Sequence, residues 1–133
     1  LHRRVGFPYA LYLREVAPLL FSGRTILERP ELIAAAYRRT MGFDREGVAR
    51  AVIAVSVHRK DILAKVASVC VPTLVMCGRE DRATPPEQSE KIARAIAGSR
   101  LVTIDGAGHM SALEDPGAVN EHLVPFTRNL LSA

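Results

Sequence analysis

Only two stretches of this 133-residue chain read as β-strands, and both lie in its second half. Val71-Pro72-Thr73-Leu74-Val75-Met76-Cys77 is a short apolar run closed by Gly78, and Leu101-Val102-Thr103-Ile104 is the other. Runs of that length suit strands covered on both faces. Between them, Thr84-Pro85-Pro86-Glu87 supplies an N-cap, two prolines for a first turn and a capping-box acid. The helix expected there carries Ser89, Ile92, Ala93 and Ile96 on one side and stops at Gly98. After the second strand, Asp115 and Pro116 open a last helix striped by Val119, Leu123, Phe126 and Leu130, with Pro125 placed to kink it. Strand, helix, strand and helix in that order make a βαβα unit, with parallel strands and a right-handed crossover. Two parallel strands are too few for an independent sheet. The pattern reads as part of a larger α/β fold.

The first half reads as helix only. Pro8 opens a helix with Tyr9, Tyr12, Leu13, Val16 and Leu20 on one face. Pro30 fits the first turn of a second, with Leu32, Ile33, Ala36 and Tyr37 apolar and Gly42 just past its end. Asp44 caps a third, striped by Val48, Val52 and Val55, and Asp61 caps a short fourth through Ile62, Leu63 and Val66.

Composition narrows the function classes. The chain is 48% hydrophobic and 24% charged, with 9 Gly and 8 Pro, which excludes disordered, collagen-like and disulfide-rich scaffolds. The most apolar stretch, Phe7 to Phe21, is broken by Arg14, Glu15 and Pro18 and is shorter than the ~20 residues of a spanning helix. No membrane partner is expected. The net charge of +4 is carried by scattered residues, with Arg3-Arg4, Arg38-Arg39 and His58-Arg59-Lys60 the tightest groups. No groove-reading motif accompanies them, so no nucleic-acid partner is expected either. Cys70 and Cys77 lie seven apart, which on one strand points them to opposite faces and prevents a mutual bridge. Reduced thiols and a cytoplasmic location follow as the expectation. The chain begins at Leu1 with no signal-peptide pattern, and a missing upstream segment is expected.

In an open parallel sheet, sites form beyond the carboxyl ends of the strands. The loop after the first strand is Gly78-Arg79-Glu80-Asp81-Arg82, and that after the second is Asp105-Gly106-Ala107-Gly108-His109-Met110. Consecutive strands thus deliver Asp81 and His109 to one edge. A carboxylate accepting from an imidazole fixes its tautomer and stabilises the imidazolium formed when histidine acts as a base. Gly106 and Gly108 let the loop turn sharply and bring the ring close to a neighbouring backbone.

At these residues the chain resembles the α/β-hydrolase superfamily. The matching elements are VPTLVMCGREDRATPP, with its G-x-x-D, and GAGHMSALEDP, with its G-x-G-H followed by an acid and proline. The resemblance covers about residues 70–131, and 28 positions separate the two candidate residues. It implies a partial α/β-hydrolase fold: a helical lid over residues 1–60, then the C-terminal βαβα part of the sheet over residues 61–133. It also implies that Asp81 and His109 are the acid and base of a Ser-His-Asp triad acting on carboxylic esters or lactones. The Thr-Pro-Pro after the acid and the Leu-Phe…Arg-Pro-Glu-Leu stretch look most like enol-lactonases. No metal or organic cofactor is implied.

One part of the family pattern is absent. The nucleophile elbow reads G-x-S-x-G, with Asp or Cys sometimes replacing the serine. No serine, cysteine or aspartate here has glycine two before and two after; Ser56, for instance, has Ala54 and His58 at those offsets. The chain alone is therefore expected to be inactive as a hydrolase. Its expected partners are an ester or lactone, and either further copies of itself or an N-terminal hydrolase segment. The alternative is a non-catalytic, hydrolase-shaped binding or assembly module. Among the remaining residues, Glu80 is a rival acid placed second by the G-x-x-D register. Ser111-x-x-Glu114 reads as a capping box. His58 and His122 lack ligand partners at metal spacing. Leu19-Leu20-Phe21 and Met41 fit either an acyl pocket or simple core packing.

Overall fold

The computed structural model describes residues 6–57 and 61–132. Arg3-Arg4 and His58-Arg59-Lys60 lie outside those residues. The helix opened by Pro8 forms, but not as one regular spiral. It runs as α1 (Tyr9–Leu11), a π-helical turn (Tyr12–Val16) and α2 (Ala17–Leu20). Pro18 explains the widening, since its ring crowds the carbonyl four residues back and has no N–H to give it. The N–H of Ala17 instead donates to the carbonyl of Tyr12, five residues back.

A further helix follows that the sequence pattern did not announce. Ser22 caps α3 (Gly23–Glu28) by accepting from the Thr25 N–H at 3.2 Å. The helix opened by Pro30 is α4 (Pro30–Met41), with Gly42 at its end and Ile33 fully buried. Asp44 caps α5 (Arg45–Ser56) through the Gly47 N–H at 2.7 Å. Its stripe, however, is uncovered: Val52 is 53% and Val55 64% exposed, and no residue of the helix is buried. Asp61 accepts from the Leu63 N–H at the start of α6 (Leu63–Val66).

The two expected strands pair in parallel, β1 (Leu74–Gly78) beside β2 (Arg100–Ile104), with Met76 opposite Val102 and Gly78 opposite Ile104. β1 starts at Leu74 and not at Val71, because Pro72 has no N–H to put into a ladder. Between them lies α7 (Pro86–Ala95), whose Ile92 and Ala93 are half-buried and whose following residue Ile96 is buried. Thr84 does not cap it: the cap position is Pro85, and no side chain accepts from the first turn. After β2 come α8 (Ser111–Glu114) and α9 (Pro116–Leu131), which is capped by Asp115 through the Ala118 N–H and continues through Pro125.

Two apolar clusters hold the chain together. Tyr12, Ala17, Phe21 and Ile33 form one among the N-terminal helices. Val102, Ile104, Ala107 and Val119 form the other, between the sheet and α9. Met110, from the loop after β2, packs against the first cluster. Its N–H also donates to the carbonyl of Leu20 at 3.0 Å. The loop that carries His109 is thus fastened to both halves.

Candidate active site

The ends of the two strands are locked together before any side chain is considered. The N–H of Arg79 donates to the carbonyl of Ile104 at 3.0 Å, and that of Glu80 to the carbonyl of Ala107 at 2.9 Å. An exposed ion pair between Arg79 and Asp105 spans the same gap. Gly106 takes a positive φ of 66° to turn the chain after β2. Gly108 then lies so close to the N-terminal helices that a Cβ there would stand 2.8 Å from the backbone of Phe21 and Ser22. Only glycine permits that approach.

Asp81 closes the first loop on itself. Its Oδ1 accepts from the N–H groups of Ala83 at 2.9 Å and Thr84 at 2.8 Å, and its Oδ2 accepts from the Thr84 hydroxyl at 2.9 Å. The same Oδ2 lies 2.9 Å from Nδ1 of His109. The structure therefore brings Asp81 and His109 together, from adjacent loops at the carboxyl edge of the strands. A carboxylate can only accept, so the network assigns the proton to Nδ1 and leaves Nε2 as the basic nitrogen. Nε2 has no protein partner among the described residues.

The two side chains differ sharply in exposure. Asp81 is 6% exposed and His109 38%. Burial pushes the Asp81 carboxyl upward, but the Thr84 N–H, the His109 ring, the Thr84 hydroxyl and the histidine charge outweigh it, and the carboxyl is held below its ordinary range. A low-pKa carboxylate behind an exposed ring is suited to orienting the imidazole and stabilising its protonated form.

Thr84 is the site residue that sequence reasoning missed. The Thr-Pro-Pro pattern assigns its hydroxyl to α7, yet the hydroxyl donates to Asp81 and lies 3.2 Å from Nδ1 of His109. Two other readings also change. Glu80, the rival acid, turns away from His109 and accepts from the N–H of Gly23 at 3.0 Å. Ser111 is the first residue of α8 and not its cap, and the buried Glu114 accepts instead from the N–H groups of Ser22 and Gly108. Nδ1 of His122 faces an Arg100 guanidinium nitrogen at 3.1 Å, away from the site; His58 lies outside the described residues. Phe21 is buried within the Tyr12 cluster and Leu20 packs against it, so both serve as core. Both cysteines are free, Cys70 exposed and Cys77 buried. No cluster of His, Cys, Asp or Glu that could hold a metal occurs among the described residues.

The βαβα unit, with a carboxylate and an imidazole in contact at one edge of its parallel strands, has part of the α/β-hydrolase fold. It belongs to that superfamily, matching the TAP-like protein family over residues 51–130. RutD of Pseudomonas savastanoi pv. phaseolicola (strain 1448A / Race 6), which carries a provisional name as a carbamate hydrolase, is 37% identical over 71 residues. That match covers 53% of this chain and 25% of the relative. A thermophilic esterase from Thermogutta terrifontis superposes with a TM-score of 0.80 at 31% identity, over 90% of this chain and 43% of the esterase. The enol-lactonase from Burkholderia xenovorans LB400 superposes with a TM-score of 0.77 at 28% identity, over 91% of this chain and 49% of the enzyme. The chain thus spans less than half the length of these relatives. Among the described residues, no helix is long and apolar enough to cross a membrane.

Proposed function

We propose that this chain supplies the acid and base of a Ser-His-Asp triad for the hydrolysis of carboxylic esters or lactones. The reading rests on the 2.9 Å contact between Nδ1 of His109 and Oδ2 of Asp81, with Nε2 left free. In this reaction Nε2 of His109 takes the proton of a serine hydroxyl as it attacks the acyl carbon, then gives it to the leaving oxygen. Asp81 keeps Nδ1 protonated and balances the charge of the imidazolium, while Thr84 holds the Asp81 oxygens in place. The likeness to an esterase and an enol-lactonase supports the ester or lactone class. The nucleophile and the oxyanion donors come from a segment outside these 133 residues.

The absence of any G-x-S-x-G pattern in the chain also favours a second reading, a hydrolase-shaped module that binds without turnover. The reading frame upstream separates the two: a strand followed by G-x-S-x-G supports the enzyme, and a start codon near Leu1 supports the module. In the protein that carries the serine, His109→Ala is expected to lower kcat by about a thousandfold or more on an activated ester. The 133-residue chain alone is expected to match free imidazole. Faster turnover by the chain alone, abolished by His109→Ala, would place a nucleophile within it and overturn the proposal.

A further inference from the structure

Two further carboxylates stand close to Asp81 and His109 in the chain, Glu80 beside the acid and Glu114 at the end of α8. Glu114 is buried, and its two oxygens meet two backbone donors, one in the loop just before it and one at the start of α3. Its Oε2 accepts from the N–H of Ser22 and its Oε1 from the N–H of Gly108, each at 2.8 Å. Glu80, beside Asp81, accepts from the N–H of Gly23. The start of α3 is therefore held by one carboxylate from the acid's loop and one from beyond the base. Arg29 donates to the carbonyl of Glu114 at 2.8 Å, which fixes the point from which that side chain reaches.

We propose that Glu114 is a positioning residue for His109: by tying the Gly108 peptide to Ser22, it holds the imidazole at hydrogen-bond distance from Asp81. The proposal rests on the acid–base reading above. The loop before His109 contains Gly106 and Gly108, the residues with the widest backbone freedom, so it does not hold the ring by its own stiffness. The Gly108 N–H lies one residue before the His109 Cα, and turning that peptide swings the ring. A contact near 2.9 Å tolerates only a few tenths of an ångström before it weakens. Glu114 removes that freedom because both its acceptors are used, one on each side of the joint. Glutamine offers one acceptor and one donor in the same volume, so Glu114→Gln leaves one of the two N–H groups facing an amide donor.

The imidazole itself reports the effect. Nitrogen-15 NMR of the 133-residue chain, with Asp81→Asn as reference, reads the ratio of the Nδ1-protonated to the Nε2-protonated neutral tautomer of His109. Asp81→Asn is expected to collapse this ratio, and Glu114→Gln to lower it about tenfold, the effect of one lost charge-assisted hydrogen bond. Far-UV circular dichroism confirms that each variant is folded. Should Glu114→Gln not fold, Ser22→Pro against Ser22→Ala decides the question. Both remove the hydroxyl cap of α3, but only proline removes the N–H that Glu114 accepts, at a φ of −65° that proline itself adopts. A fall with Ser22→Pro and not with Ser22→Ala supports the proposal. A ratio lowered by Asp81→Asn but unmoved by Glu114→Gln, or equal in the two Ser22 variants, overturns it and leaves the acid–base pair standing. A ratio unmoved by Asp81→Asn overturns both.

Discussion

Asp81 is a buried carboxylate whose four acceptor contacts all come from two residues of its own turn, Ala83 and Thr84, and from His109. Its pKa is depressed in the folded chain, so protonating it costs stability. The sign follows from linkage: the contribution is fully present above the unfolded carboxyl pKa of about 3.9 and is lost as pH falls through the lower folded value. Asp81→Asn is therefore expected to destabilise the chain by about 1–3 kcal/mol at neutral pH. Urea melts should show that deficit shrinking below about pH 4. Tyr12 predicts the opposite sign. Its ring is buried among Phe7, Tyr9 and Tyr37, and its hydroxyl has no hydrogen-bond partner among the described residues. Burial, and then Tyr9, push its phenol pKa up. Removing an unpaired buried hydroxyl relieves a desolvation cost, so Tyr12→Phe should be neutral or stabilising by about 1 kcal/mol in the same melts. At this scale the sequence was legible where a residue's partner is prescribed by its loop, as with Asp81 and His109. It was illegible where a local pattern competes with a distant partner. Thr84 and Glu114 both sit in cap-like patterns, yet the geometry gives Thr84 to Asp81 and Glu114 to a peptide 92 residues away.

Elements opened by a residue that can act alone were readable: Pro8, Pro30, Asp44 and Asp115 each start the helix expected of them. Two features were not. The π turn at Tyr12–Val16 arises from Pro18 acting backward on a carbonyl, which an apolar stripe does not reveal. The helix Gly23–Glu28 is too short to show a stripe, and its signal was only Ser22 three residues before Thr25. Pro125 offers a test within α9, where it sits exposed inside the helix and has no N–H for the carbonyl of Glu121. Pro125→Ala restores that bond and removes the ring's clash. It is expected to stabilise the chain by about 1–3 kcal/mol, read as a raised Tm. An unchanged or lowered Tm would mean that the packing around Phe126 has already adapted to the ring.

For the molecule as a whole, the two apolar clusters are separate bodies joined at the site. The Tyr12 cluster closes the N-terminal helices and the Val102 cluster closes the sheet against α9. Between them run Met110 and the carboxylates of Glu80 and Glu114, so the candidate active site is also the seam of the fold. Helix α5 belongs to neither cluster. Val52, Ile53 and Val55 are exposed on it, Val71 is exposed before β1, and a two-stranded sheet leaves outer edges unpaired. Exposed apolar stripes and open edges together form a surface that water does not favour and that a second copy of the chain can cover. The net charge of +4 opposes this only weakly at physiological salt, where the screening length is about 8 Å. The 133-residue chain in solution is therefore expected to self-associate, with α5 in the contact. Light scattering at low micromolar concentration should give a mass above the 14.5 kDa of one chain. Replacing Val52 and Val55 by glutamate should return that mass toward the monomer without loss of helix signal, because neither side chain is buried within its own chain. A cooperatively melting monomer at that concentration would show instead that the stripe on α5 is tolerated in water.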